Sequence, residues 1–297
     1  MTKALEIIEK QFGVDRTKIE NIKWLKKGMT NNSFVFECRG EKYIMRIPGV
    51  GTDRLINREQ EYLVYQTLKK TEITDFVIYL NPENGYKITK YIENARCCDP
   101  YNEEEVHKCM ERLKELHSLN LKLNGYEFDL FNMLEFYESL RGEKSIYCDY
   151  EAVKNNVLSL KEHIECCHAE KCLSHIDAVP DNFLFTTDRD GKEKVCLIDW
   201  EYAGMQDPHV DIAMFGIYAM YDKRHMDLLI DIYFGGKCKC SDRIKIYCYV
   251  AVCGLLWSNW CEYKRHLGIE FGEYAYKQYE YAKDYYWFVM RELESVE

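Results

Sequence analysis

The sequence predicts an α+β chain in two lobes, a small β-rich amino-terminal lobe and a larger α-helical carboxy-terminal lobe. Three observations carry this. Short runs of β-branched and aromatic residues, separated by turn residues, occupy the chain up to about residue 91. From there apolar residues recur at helical spacing almost to the end. Inside that helical part lies a single hairpin whose second arm, V-C-L-I-D, ends an apolar run on Asp199. The boundary expected from this shift divides the chain into 1–91 and 92–297.

Composition narrows the class. The 297 residues suffice for one large or two modest cored domains. The chain is 47% hydrophobic but has no apolar run near the ~18 residues of a membrane span. Its start, M-T-K-A-L-E-I-I-E-K, is an amphipathic helix interrupted by acidic residues, unlike a signal peptide, so a soluble cytoplasmic protein is expected. Net charge is −10 with no dense Lys/Arg block, which argues against a nucleic-acid partner and suits a cationic small ligand. The 14 cysteines are scattered and form no C-x-x-C, so reduced thiols are expected. Cys166, Cys167, His168 and Cys172 are the one cluster with zinc-like composition, but a second spaced ligand pair is missing.

Taken in order, residues 3–12 form a helix ended by Gly13. Strands follow at 22–25, 33–38 and 42–47, the first two flanking K-K-G-M-T-N-N. That turn holds one glycine, too few for a G-x-G-x-x-G loop, yet Thr30, Asn31 and Asn32 offer donors to phosphates. Arg46 falls inside the third strand, where a charge needs a partner. The next helix, expected over 53–69, presents Glu59 and Glu61, and Glu61 is the better placed to reach Arg46. A hairpin, 76–80 and 86–90, turns at N-P-E-N-G. K-I-T-K-Y-I-E then acts as hinge, with Thr89, Tyr91 and Ile92 assigned to nucleotide contact. Helices are expected at 102–118, 130–141, 151–168, 209–220, 241–264 and 271–294.

The chemistry concentrates between Ser174 and Trp200. His175, Asp177 and Asn182 keep the spacing of a kinase catalytic loop, H-R-D-x-x-x-x-N, and Asp199 stands where kinases carry the aspartate of D-F-G. Alone, Asp177 reads as a surface carboxylate, Asn182 as a turn residue and Asp199 as a strand-end cap. Together they read as phosphoryl transfer: Asp177 accepts the proton of an attacking hydroxyl, and Asn182 and Asp199 offer oxygen ligands to Mg²⁺ beside ATP. His175 is expected to hold the loop. Asp211 is either a first-turn helix residue or a brace beneath the loop. The layout is that of a two-lobed protein-kinase-like fold. Trp257 and Trp260, three apart, share one helix face, and tryptophan faces attract cations, although such a pair is also ordinary helix core.

These residues resemble the aminoglycoside phosphotransferase and choline kinase superfamily, and within it bacterial choline kinases of the LicA type. The matching pieces are G-M-T-N-N-S-F, Y-I-M-R-I-P-G, I-N-R-E-Q-E, S-H-I-D-A-V-P-D-N-F-L, L-I-D-W-E-Y-A-G-M-Q-D-P-H-V-D-I-A and L-L-W-S-N-W-C-E-Y-K. The resemblance implies Asp177 as catalytic base, Asn182 and Asp199 on Mg²⁺, and Arg46 over the ATP phosphates with Glu61 as its partner. It implies a choline pocket from Trp257, Trp260 and the tyrosine after E-F-G, Tyr274 or Tyr276 by register, with Trp200, Glu201 and Tyr202 beside them. Ile176 departs from the family, where Gly or Asn is usual. The expected activity is choline phosphorylation. Ethanolamine, thiamine or aminoglycoside acceptors, or a nucleotide-binding pseudokinase scaffold, are the alternatives. A protein kinase is disfavoured because no A-P-E follows Asp199.

Overall fold

The computed structural model describes residues 1–25, 31–167, 169–187 and 191–296. Thr30 and His168, both singled out above, lie outside them. The chain divides into two compact units, Met1–Cys97 with Leu184–Ala203, and Cys98–Phe183 with Gly204–Glu297.

The first unit opens with α1 (Thr2–Phe12), closed by Gly13 in the left-handed conformation. Strands β1 (Glu20–Trp24), β2 (Asn31–Cys38), β3 (Glu41–Pro48), β4 (Val77–Leu80) and β5 (Lys87–Lys90) form one antiparallel sheet in the order β1-β2-β3-β5-β4. Alternation puts Tyr43 and Met45 of β3 into a core with Ala4, Ile8, Phe34, Phe36 and Ile88. Helix α2 runs Arg58–Leu68, starting later than the expected 53. The reason is local. Thr52 turns the chain, its carbonyl accepting from the amides of Leu55 and Ile56, and the Asn57 side chain then caps the helix by accepting from the Gln60 amide at 3.1 Å. A second small sheet joins β6 (Arg96–Cys97), β8 (Phe183–Thr187) and β9 (Glu193–Leu197). The Leu197 amide donates to Ile73 O at 2.8 Å, which fixes the strand end that carries Asp199.

In the second unit the helices are α3 (Glu103–Ser118), α4 (Leu130–Arg141), α5 (Tyr150–Ser159), α6 (Lys161–Cys166), α7 (His209–Tyr218), α8 (Lys223–Phe234), α9 (Cys240–His266) and α10 (Glu273–Val296). The helix expected over 151–168 is two, because at Leu160 the backbone amide turns to Val157 O, three residues back. Strands β7 (Cys172–Ser174) and β10 (Gly204–Gln206) pair antiparallel and carry the chain into and out of the catalytic loop's neighbourhood. Helix α9 is buried on every face from Ile244 to Lys264, polar residues such as Lys245, Asn259 and Glu262 included, as befits the central helix of this unit. No helix among the described residues is long and apolar enough to cross a membrane.

Candidate active site

In the first unit the Arg46 side chain is buried and engaged through both terminal nitrogens. Its Nη1 lies 2.6 Å from Glu61 Oε1, and its Nη2 donates to Glu61 Oε2 at 2.8 Å and to Gly85 O at 3.0 Å. Nη1 also reaches Glu201 Oε2 at 3.3 Å and Asp199 Oδ1 at 3.4 Å. Glu59, the other candidate partner, faces solvent. Two further cations complete the group. Arg58 Nη1 sits 3.1 Å from both Glu61 Oε2 and Glu201 Oε2. Lys87, cross-strand from Arg46, lies 3.7 Å from Glu61 and 3.9 Å from Asp199, and donates to the Tyr65 hydroxyl at 2.7 Å.

Three cations therefore face three carboxylates in a neutral set that is buried except for Asp199, which is the condition under which charges persist away from water. Burial pushes the Glu61 carboxyl upward, but Arg46 and Lys87 outweigh it and hold its pKa at about 2. For Glu201 the balance reverses: burial and the neighbouring Asp199 raise its pKa despite Arg46. Burial lowers that of the Arg46 guanidinium and is outweighed by Glu61 and Glu201, so it stays charged. Asp199 is about one-third exposed, the accessible carboxylate of the three, and sits at φ +63°, a conformation aspartate tolerates better than most residues.

The predicted nucleotide residues fall in this unit. Asn31 donates from Nδ2 to Glu201 Oε2 at 2.9 Å, Asn32 pairs with Ile47 across β2 and β3, and Thr89 is buried on β5. The Tyr91 amide donates to Lys42 O at 3.0 Å, and Ile92 follows it. Trp200 is fully buried, its indole N–H donating to Leu197 O at 3.0 Å, and Tyr202 is buried beside it in sequence. Glu201, assigned from sequence to the choline pocket, makes its polar contacts with Asn31, Arg46 and Arg58 instead.

In the second unit the loop after β7, which carries Asp177 and Asn182, hangs on Asp211. This carboxylate is fully buried in the first turn of α7 and accepts from the amides of His175 at 2.9 Å and Ile176 at 2.7 Å. His117 Nε2 lies 2.9 Å from the same Oδ2, and His117 Nδ1 is 2.8 Å from the Tyr233 hydroxyl. These are the contacts of a brace. Downstream, Asn182 donates from Nδ2 to Asp177 O at 2.8 Å and to Asp177 Oδ2 at 3.2 Å, closing the two residues into one local ring. Pro180–Asn182 is a tight 3₁₀ turn, which sets that spacing.

A file of aromatic rings leads to this loop. Trp257 and Trp260 are 5.7 Å apart and nearly perpendicular; Trp260 meets Phe271 at 4.9 Å, Phe271 meets Tyr274 at 6.4 Å, and Tyr274 meets Tyr218 at 5.8 Å. The Tyr218 hydroxyl donates to Asp181 Oδ2 at 3.2 Å, inside the catalytic loop. Burial pushes the Tyr274 phenol well up, with smaller contributions from Cys261 and Asp177. Tyr276 is 60% exposed and leans on Tyr147. The Lys264 ammonium lies 5.4 Å from the Trp260 ring centre, so that indole already has a cation near it.

Sequence reading passed over Arg58, Lys87, His117, Tyr218 and Phe271. Arg58 stands in the same I-N-R-E-Q-E as Glu61, and Lys87 is the cross-strand neighbour of Arg46, so both had a signal; His117 had none.

With this geometry in hand the comparisons are specific. A sequence profile of choline/ethanolamine kinases matches residues 22–230. The chain belongs to the choline/ethanolamine kinase family. Family membership makes it a phosphotransferase with an alcohol acceptor. Protein LicA of Haemophilus influenzae is 28% identical over 267 residues, covering 86% of this chain and 97% of the relative. The crystal structure of choline kinase LicA from Streptococcus pneumoniae has 29% identity and a TM-score of 0.80, covering 95% of this chain and 98% of that one. A structure of LicA in complex with AMP matches at 28% identity and the same TM-score of 0.80, covering 96% and 98%. The kinase-like α+β fold expected from the sequence is therefore the fold of this family.

Proposed function

We propose that this protein is a choline kinase, transferring the γ-phosphoryl group of ATP to the hydroxyl of choline. The observation that carries the choice of acceptor is the ring file from Trp257 through Trp260, Phe271 and Tyr274 to the catalytic loop. A quaternary ammonium has no N–H to donate and is held by aromatic faces, each worth about 0.5–2 kcal/mol. A primary ammonium calls for carboxylates, and Glu262, the acid within this stretch of α9, is already engaged by Arg141 at 2.8 Å, Ser145 at 3.0 Å and the Ile146 amide at 2.8 Å.

Asp177 serves as the base. It accepts the acceptor hydroxyl's hydrogen bond and takes its proton as the O–P bond forms. The Asn182 amide, donating to Asp177 Oδ2, orients that carboxylate. Asp211 holds the backbone of the preceding residues, which keeps the base in place without itself touching the reactants. Arg46, fixed by Glu61, supplies positive charge to the phosphates. The donor set suits Mg²⁺: the Asn182 carbonyl oxygen and the accessible Asp199 carboxylate are hard oxygen ligands, whereas Glu61 and Glu201 are taken by guanidinium groups. Bound there, the cation would neutralise charge on the transferring phosphoryl group.

An acceptor screen tests this. Purified protein with ATP and Mg²⁺ should consume ATP with choline at a higher kcat/KM than with ethanolamine, and Asp177→Ala should lower turnover by at least ~10³-fold with little change in ATP affinity. Trp257→Ala should raise the choline KM by about tenfold, the worth of one lost cation–aromatic contact. Faster turnover of ethanolamine, or an unchanged choline KM in the tryptophan variant, overturns the acceptor assignment.

A further inference from the structure

The residues Asn31 and Arg46, proposed above for the nucleotide phosphates, both donate to Glu201 Oε2, which accepts from Arg58 as well, at 2.9, 3.3 and 3.1 Å respectively. One carboxylate oxygen thus collects an amide and two guanidinium donors, the kind of donor set a phosphate oxygen also takes. Glu201 is 4% exposed and its side chain 1%. Among the described residues, four buried polar atoms of this group have no hydrogen-bond partner: Asn31 Oδ1, Arg46 Nε, Arg58 Nη2 and Glu61 Oε1, the last still 2.6 Å from Arg46 Nη1. A site built only for its own internal salt bridges would leave fewer such atoms, because each costs about 1–3 kcal/mol. Two of these, Arg46 Nε and Arg58 Nη2, are donors left over for a further anion.

From this we infer that Glu201 is a positioning residue of the nucleotide site, a carboxylate that occupies and pre-orders the phosphate donors Asn31, Arg46 and Arg58 until a triphosphate takes them over. The inference rests on the kinase reading above. Charge supports it. Arg46, Arg58 and Lys87 are balanced by Glu61, Asp199 and Glu201, so an entering polyanion must displace or repel one of the three carboxylates. Glu61 is the tightest held, at 2.6 Å and 2.8 Å from Arg46, and stays. Glu201, held at 3.1–3.3 Å by both arginines, is the one that yields.

The test is binding of metal-free ATP, in EDTA, by titration calorimetry, with adenosine as a control for the base subsite. Glu201→Gln should bind metal-free ATP about tenfold more tightly than wild type, the size of one charge-assisted hydrogen bond, with adenosine binding unchanged. Asp199→Asn makes the same change in charge but touches neither Asn31 nor Arg58, so its gain should be clearly smaller. A Glu201→Gln affinity equal to or weaker than wild type, or equal gains in the two variants, overturns the inference. If Glu201→Gln loses adenosine binding through misfolding, Glu201→Asp, which keeps the charge but withdraws the carboxylate by one methylene, is read in its place; tighter ATP binding supports the inference and weaker binding overturns it. Failure of the kinase reading looks different, since wild type itself would then bind no ATP even with Mg²⁺.

Discussion

Ile176 shows how much the catalytic loop depends on its brace. Its φ is +67°, a region that costs an ordinary L-residue about 1–2 kcal/mol, and a β-branched one more. The side chain is 1% exposed, so burial of its apolar surface and the 2.7 Å bond from its amide to Asp211 offset that cost. A reversal of the usual glycine penalty follows. Ile176→Ala and Ile176→Gly both lose the buried side chain, but only alanine keeps the Cβ clash. The glycine variant should therefore be the more stable of the two by about 1 kcal/mol, measured by urea unfolding, whereas in regular structure glycine is the worse by a similar amount. If alanine is the more stable, the left-handed backbone at 176 is not what the protein adopts. The same residue marks a limit of sequence reading. That Ile replaces Gly or Asn was visible, while the Asp211 and His117 contacts that make it tolerable join positions 35 and 59 residues away and left no local pattern.

Among elements, the packing of α9 on α10 is decided at one position. A Cβ on Gly254 would stand 2.7 Å from Gln278 O, 2.8 Å from Tyr281 Cβ and 3.0 Å from Ala282 N, and the first and last of these are backbone that cannot swing aside. On Gly216 of α7 a Cβ would meet Met226 Cε at 2.2 Å and Sδ at 2.6 Å, the free end of a flexible side chain. Alanine gains about 1 kcal/mol over glycine from helix propensity alone. Gly254→Ala should nevertheless destabilise by about 1–3 kcal/mol through overpacking, and Gly216→Ala should fall within about 1 kcal/mol of wild type. Comparable losses in thermal unfolding would mean the two helices can part easily. At this scale most of the fold was legible, because helices and strands announce themselves by period and caps. Helix α8 was legible but unread: Asp222 caps it, Gly235 ends it, and Met226, Leu229, Ile230 and Tyr233 repeat at helical spacing. The strands β6, β7 and β10, at two or three residues each, are too short to show any period.

The chemistry-bearing residues come from distant parts of the chain. What was legible were the local motifs, Asp177 with Asn182 and the strand end at Asp199. What was not were partners chosen by tertiary fold, such as Arg58 for Glu201 or Lys245 for Asp207. The last of these bears on stability of the molecule as a whole. Asp207 is buried and accepts from Lys245 at 2.6 Å and Tyr249 at 2.8 Å, and the His209 ring lies 3.8 Å from its other oxygen, packed 5.2 Å from Phe234. Burial, helped by the Lys245 and His117 charges and opposed by Asp207 and Asp242, lowers the pKa of His209 from 6.5 to about 4. Because the folded value lies below the unfolded one, the unfolded chain takes up the proton first as pH falls. Stability is thus drawn down from about pH 6.5 to about pH 4 and the loss is complete below that. Glu61, held at about 2, works in a different window: its contribution is present above its ordinary value of 4.5 and fades only as pH falls toward 2. Between pH 7 and pH 5, His209 should therefore account for about 2 kcal/mol of lost stability. His209→Gln, which cannot take up the proton in either state, should show a shallower decline over that interval when urea midpoints are compared at the two pH values. Parallel declines in wild type and variant would show that the His209 ring is solvated enough to titrate normally in the folded protein.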